Sequence, residues 1–141
     1  KTTGGRRFTG RLPHGSDLLA ALSEFCAQND IRFGEVHALG ALQRARVAFY
    51  DQAARVYHEL AFDRPLELLN LAGNISLKDG RPFVHAHVVL AGADGNTMGG
   101  HLVEGCPVFA CEFTIKEWDH APAPERRLDP VTGLALWPQE D

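Results

Sequence analysis

The segment Arg81-Pro-Phe-Val-His85-Ala-His87-Val-Val-Leu90, followed by Gly99-Gly100-His101-Leu102, holds the side chains best suited to chemistry in this chain. Alternation along a strand puts His85 and His87 on one face. His101 lies one hairpin further on and can reach the same face from the neighbouring strand. Three imidazoles without a fourth protein ligand hold a metal with one position open, the pattern of ligand binding or hydrolytic chemistry rather than of scaffolding. A metal held in this way lowers the pKa of a bound water toward about 7 and polarises a carbonyl or phosphoryl group. Zinc is the default for imidazole donors, with nickel, copper and iron as alternatives. His14, His37, His58 and His120 carry the plainer reading of solvated or core-satisfied side chains.

The turns decide whether the three rings converge. Asp79-Gly80 is a two-residue hairpin signal of type I′, which pairs Lys78 with Arg81. Counting outward, Asn74 falls opposite His85 and Ala72 opposite His87. Asn70, Ala72, Asn74 and Ser76 then share a face with Phe83, His85, His87 and Val89. Leu69, Leu71, Ile75, Leu77, Val84, Ala86, Val88 and Leu90 form the core face. Asn74 is the natural hydrogen-bond partner for the second nitrogen of His85. A two-residue Asp94-Gly95 turn would send His101 to the core side. A three-residue loop Ala93-Asp94-Gly95, with Gly95 left-handed, sets it opposite His87 and closes the site. A bulge at Gly99-Gly100 is another route to that face, and the two glycines leave room beside the rings.

Around this hairpin the chain reads as one helix followed by strands. Arg6 to Leu12 alternates as a first strand. Pro13 to Asp17 punctuates it, with Ser16 as N-cap and Asp17 in the first turn. Leu18, Leu19, Leu22, Phe25 and Cys26 follow at helical spacing. Strands are expected at Val36 to Leu42, Arg44 to Tyr50, Val56 to Phe62, Leu66 to Leu77, Phe83 to Leu90, Thr97 to Leu102 and Val108 to Trp118. The fold class is therefore α+β, a mainly antiparallel sheet with one principal amphipathic helix. Residues 1–118 form the domain and residues 119–141 a tail. Within the tail Ala121 to Arg127 reads as a linker, and Leu134-Ala-Leu-Trp137-Pro is apolar enough to dock.

The chain has 141 residues, 45% of them hydrophobic, and a formal net charge of -4. That length supports one domain with a real core. No apolar run approaches the roughly 20 residues of a membrane span, and no secretory signal is visible, although the chain starts at Lys1 rather than a Met. Cys26, Cys106 and Cys111 have no metal or redox spacing and read as small buried hydrophobes, which points to a reducing cytoplasm. The acidity disfavours nonspecific binding to a polyanion. Glu67 and Glu104 are the nearest carboxylates in sequence to the histidines. Glu67 points to the opposite face in this register, and Glu104 reaches the histidine side only through another bulge. The His-x-His pair also occurs in cupins, but their glutamate beyond the second histidine is replaced here by Val-Val-Leu-Ala-Gly, so a cupin barrel is the weaker alternative.

Leu66-Glu-Leu-Leu-Asn-Leu-Ala-Gly-Asn-Ile-Ser, Asp79-Gly-Arg-Pro-Phe-Val-His-Ala-His, Gly95 and Gly99-Gly-His-Leu together resemble the plants-and-prokaryotes conserved (PPC) domain. Gly15-x-Asp17-Leu18 and Leu39-Gly-Ala-Leu fit the same pattern, so the resemblance runs from about Arg6 to Trp118. It implies a trimer-forming α+β domain. In plants the domain follows AT-hook segments of nuclear DNA-binding proteins, prokaryotic members are grouped with DNA-binding proteins by that association, and several resemble zinc binders. Asp79-Gly80-Arg81-Pro82 is the nearest match to an AT-hook core, but it has an acid in place of the first arginine and sits in a turn, whereas an AT-hook is an extended arm. The resemblance also implies that the histidine trio belongs to the prokaryotic branch. Three functions follow as expectations. One is a homotrimeric zinc-binding domain that takes a small-molecule ligand. Another is a DNA-binding or regulatory protein using Arg6, Arg7, Arg44, Arg46, Arg126 and Arg127. The third is a trimeric interaction module whose metal is structural.

Overall fold

The structure, a computed structural model, describes residues 3–119 and 121–139. His120 lies outside the described residues. Strand β1 (Thr3–Leu12) leads into helix α1 (Leu18–Gln28). Strands β2 (Gly34–Leu42), β3 (Ala45–Asp51), β4 (Val56–Phe62), β5 (Leu66–Lys78), β6 (Arg81–Ala91), β7 (Thr97–Leu102) and β8 (Val108–Asp119) follow. They form one eight-stranded sheet in the order β1-β8-β2-β5-β6-β7-β3-β4, antiparallel at each pairing. Short strands β9 (Arg127–Leu128) and β10 (Ala135–Leu136) pair with each other in the tail.

The helix buries Leu18, Leu22 and Cys26, residues one turn apart, against the sheet. Its N-cap is Asp17, one residue later than the sequence reading placed it. Asp17 is extended and its carboxylate accepts from the amide of Ala20, while the Ser16 hydroxyl turns back to donate to the Pro13 carbonyl. The second Asp17 oxygen accepts from the amides of Gly105 and Cys106. One carboxylate thus caps the helix and fixes the loop that leads into β8. The helix-side core comprises Val36, Leu42, Val47, Leu68, Leu71, Ile75, Val88, Leu90, Leu102 and Ile115, all nearly or fully buried. The three cysteines are free and buried, and burial pushes the Cys26 thiol up to about 12 and the Cys111 thiol to about 11. They pack as hydrophobes and are inert as nucleophiles.

The β5–β6 hairpin follows the register expected from Asp79-Gly80. Both turn residues have positive φ, and Lys78 pairs with Arg81, Asn74 with His85 and Ala72 with His87. The parity changes at the other end of the hairpin. A bulge between Leu68 and Asn70 lets two β5 residues oppose one on β6, which reverses every side chain before it. Leu69 is therefore 51% exposed rather than in the core, and Leu66 and Leu68 are buried in its place. Glu67 moves to the histidine side of the sheet by the same reversal. It sits opposite Ala91, four residues beyond His87, and does not reach the rings.

Candidate metal centre

Each imidazole is placed by a hairpin. His85 and His87 sit two apart on β6. His101 pairs directly with His87 across β6–β7. That pairing requires the loop Ala93-Asp94-Gly95, because the Gly92 amide donates to the Asn96 carbonyl and Gly95 has φ +76°. The β6–β7 register is unbroken through Gly99 and Gly100, so no bulge is needed there. At Gly99 a side chain is impossible: a Cβ would lie 2.1 Å from the Val88 carbonyl oxygen.

The three rings form a triangle. Their centroids are 5.1 Å apart for His85–His87, 5.0 Å for His85–His101 and 5.6 Å for His87–His101. One nitrogen from each lies within 4.8 Å of the others. A tetrahedral zinc with bonds of about 2.0–2.1 Å places its nitrogens roughly 3.4 Å apart, so small ring rotations bring the donors into range. Burial above all, then Arg126 and the other two imidazoles, holds His85 down to about 4, and burial lowers His101 as well. Both rings are thus neutral at pH 7, as ligation demands. The trio is the one group of metal-ligating side chains found among the described residues.

Sequence reasoning missed the other half of the site. The tail is not a free linker. The Leu77 amide donates to the Pro124 carbonyl, the Arg126 amide to the Leu77 carbonyl, and the Gly80 amide to the Glu125 carboxylate. This lays Arg126 on the histidine face, beside His85. Its Nε donates to Ser76 Oγ at 3.0 Å, Nη1 to the Ala135 carbonyl at 3.0 Å, and Nη2 to Asn74 Oδ1 at 2.6 Å. Nη2 also lies 3.4 Å from His85 Nδ1. Asn74 therefore sits beside His85 as the register requires, but its amide oxygen is taken by Arg126. Ser76 and Arg126 are the two buried polar or charged side chains among the described residues. A fully buried Ser76 on a strand face of otherwise exposed or half-exposed polar residues signals something covering it. The apolar Leu134 to Trp137 run was the other available clue, and the Trp137 ring does dock, 5.5 Å from Phe33.

Over the rings opens a cavity of about 1030 Å³. Tyr57 of β4 forms one wall, its ring 5.0 Å from His101 and 4.9 Å from Tyr50, and Phe83, Gly100 and the 131–136 stretch complete it. Glu67 and Glu104 do not line it. Glu59 shares the strand row of His101 through Ala48, yet it does not line the cavity either. His14, His37 and His58 stand apart from the trio. His14 hydrogen-bonds the Phe109 carbonyl and His58 faces Asp51, while His37 is exposed on β2. Of the six arginines named for a nucleic-acid surface, Arg6 is bound to Glu117 and Arg126 is buried. Among the described residues, no helix is long and apolar enough to cross a membrane.

Comparison with known proteins agrees with this architecture. A metal-containing protein from Archaeoglobus fulgidus superposes with a TM-score of 0.92 at 40% identity, over 99% of this chain and 97% of that one. A plant- and prokaryote-conserved protein from Pyrococcus horikoshii superposes with a TM-score of 0.94 at 35% identity, over 100% and 96%. The bifunctional protein GlmU of Synechococcus sp. (strain JA-3-3Ab) is 33% identical over 124 residues, 87% of this chain, which spans only 19% of that relative's length. The model of the Plants and Prokaryotes Conserved (PCC) domain matches residues 1–119, and this chain belongs to that family.

Proposed function

We propose that His85, His87 and His101 hold a divalent metal, zinc by the chemistry of its donors, with an open position facing the cavity, and that the protein binds a small molecule there. The observation that carries this reading is the convergence of three imidazole donors at the floor of a cavity, with no fourth donor beside them among the described residues. A relative 40% identical to this chain is itself described as metal-containing. Bound at this position, the metal supplies a Lewis acid for an oxygen ligand. The chain's own groups do the rest. The ladder fixes the rings, Tyr57 and Phe83 wall the cavity with aromatic surface, and Gly100 leaves the floor open. Ligand binding is favoured over hydrolysis, because among the described residues no carboxylate lines the cavity to act as a general base. Residues 1–118 carry the trio, and within the 119–141 tail residues 121–139 act as a strap beside it.

Assembly as a homotrimer accounts for a second feature. Leu39, Leu69 and Val89 sit on the adjacent strands β2, β5 and β6 and are 58%, 51% and 44% exposed. A contiguous apolar patch of this kind is covered in an oligomer. DNA binding has less support: the net charge is -4 and two of the six arginines it would use are occupied within the protomer.

Elemental analysis of the purified protein tests the metal reading. One metal per chain is expected, falling to near zero in His87→Ala. His87 is exposed, so its loss leaves the fold intact. Undiminished metal in that variant would remove the assignment. A trimer that unfolds on chelation, and takes up no small molecule when loaded, would make the metal structural instead.

A further inference from the structure

The charge around the cavity is one-sided. Among the described residues no aspartate or glutamate lines it, whereas Arg55, Lys78 and Arg126 do. Arg126 is only 9% exposed, and among the described residues no carboxylate pairs with it. Its three acceptors, the Ser76 hydroxyl, the Asn74 amide oxygen and the Ala135 carbonyl, carry no charge. The Phe83 and Trp137 rings, 5.5 Å and 5.8 Å from its guanidinium carbon, offer their faces but no net charge. A buried cation in a low-dielectric wall without a counter-charge is costly. A divalent ion on three neutral imidazoles would add two further positive charges beside it. Among the described residues no carboxylate at the cavity meets this concentration of positive field.

We infer that the cavity binds a small organic oxyanion, an aryl carboxylate being the simplest member of the class, with its charged end over the imidazoles toward Arg126 and its planar body against Tyr57 and Phe83. The inference deepens the metal reading and rests on it for part of the charge, Arg126 and Lys78 supplying the remainder. The Tyr57 ring is tilted only 33° from that of His101, so a flat body lying along Tyr57 directs its end group at the metal ligands. Lys78 sits over Phe83 at 5.0 Å, where it adds charge at the rim. The neutral rings favour a planar body over a purely inorganic anion.

Calorimetric titration of zinc-loaded and chelator-stripped protein with benzoate, and with benzyl alcohol as the neutral analogue, tests this. Benzoate is expected to bind the loaded protein at least about tenfold more tightly than benzyl alcohol, and Arg126→Gln to weaken it by about tenfold at unchanged metal content. Lys78→Gln, an exposed change that keeps the fold, should weaken it by about threefold and serves if Arg126→Gln does not fold. Equal affinity for the two probes, or no benzoate binding by protein holding one metal per chain, overturns the anion site and leaves the metal reading standing. If the wild type holds no metal, the metal reading fails by itself. The stripped protein then decides: benzoate binding that Lys78→Gln weakens while benzyl alcohol binding stays unchanged upholds the anion site, and no binding, or equal effects on the two probes, ends it.

Discussion

Two regions build the site, and they are built by different physics. The β5–β6–β7 meander supplies the imidazoles through local rules. Asp79-Gly80 and Gly95 adopt the left-handed backbone their turns require, and ladder pairing then sets His85, His87 and His101 on one face. The C-terminal strap supplies Arg126 through distant rules, since its partners Ser76 and Asn74 are 50 and 52 residues away. The meander shapes a neutral donor set, and the strap charges its surroundings. A site can thus have its ligands written into two turns while its electrostatics depend on a segment that joins the sheet last.

The sharpest way to separate the two is to damage the strap alone. Arg126→Gln removes the donors to Ser76, Asn74 and Ala135 together, and leaves a fully buried hydroxyl and an amide oxygen without their partners. Leaving such groups unsatisfied costs about 2–3 kcal/mol. Denaturant unfolding should show that loss, and amide exchange should show the strap opening while the β5–β6 ladder stays protected. Loss of protection in the ladder as well would mean that the meander is not independent of the strap.

That asymmetry also explains what was legible in the sequence. Turn residues report register directly, so the β5–β6 register and the Asn74–His85 pairing could be counted out from Asp79-Gly80. Asp94-Gly95 allows a two- or a three-residue loop, and the longer is favoured because Gly95 suits it and it closes the site. The bulge at Leu69 could not, because Leu66, Leu68, Leu69 and Leu71 are apolar in both parities and nothing marks where the alternation reverses. Leu69 and Glu67 were assigned to the wrong faces for that reason. Arg126 was illegible for another. In a Pro-rich stretch an Arg-Arg pair looks like surface, and the burial of a guanidinium shows only when its acceptors on β5 are brought to it. The one-residue error at the helix cap has a local cause: Ser16 and Asp17 are both good caps, and the loop amides of Gly105 and Cys106 favour the residue with two acceptor oxygens.

The pH dependence of the metal-free protein probes the two regions jointly, because burial and Arg126 both depress His85. Its folded value of about 4 lies below the ordinary 6.5, so the unfolded chain binds more protons between those limits. Stability is therefore full above about pH 6.5, falls as pH drops through the window, and levels off below about 4 for this group. The expected loss is on the order of 1–2 kcal/mol, a lowering of Tm by roughly 5 °C between pH 7.5 and 4.5. His85→Gln should flatten that part of the profile. Arg126→Gln should shrink it, and an unchanged profile in that variant would show that burial and the other two imidazoles set the shift without Arg126.

The smallest effect tests the meander's own rule. Gly95 has φ +76°, and a Cβ there would meet nothing within 4 Å, so Gly95→Ala adds backbone strain without a clash. An L-residue in the left-handed region costs about 1 kcal/mol, which for a chain of this length lowers Tm by roughly 3 °C. The Gly92–Asn96 hydrogen bond and the β6–β7 ladder still hold His101 opposite His87, so metal content should be unchanged. If instead the loop relieves its strain by shortening to two residues, the parity of β7 reverses and His101 turns into the helix-side core. Metal loss out of proportion to the small stability loss would reveal that slip, and would show that the glycine's conformation, rather than the ladder beyond it, holds the third imidazole in place.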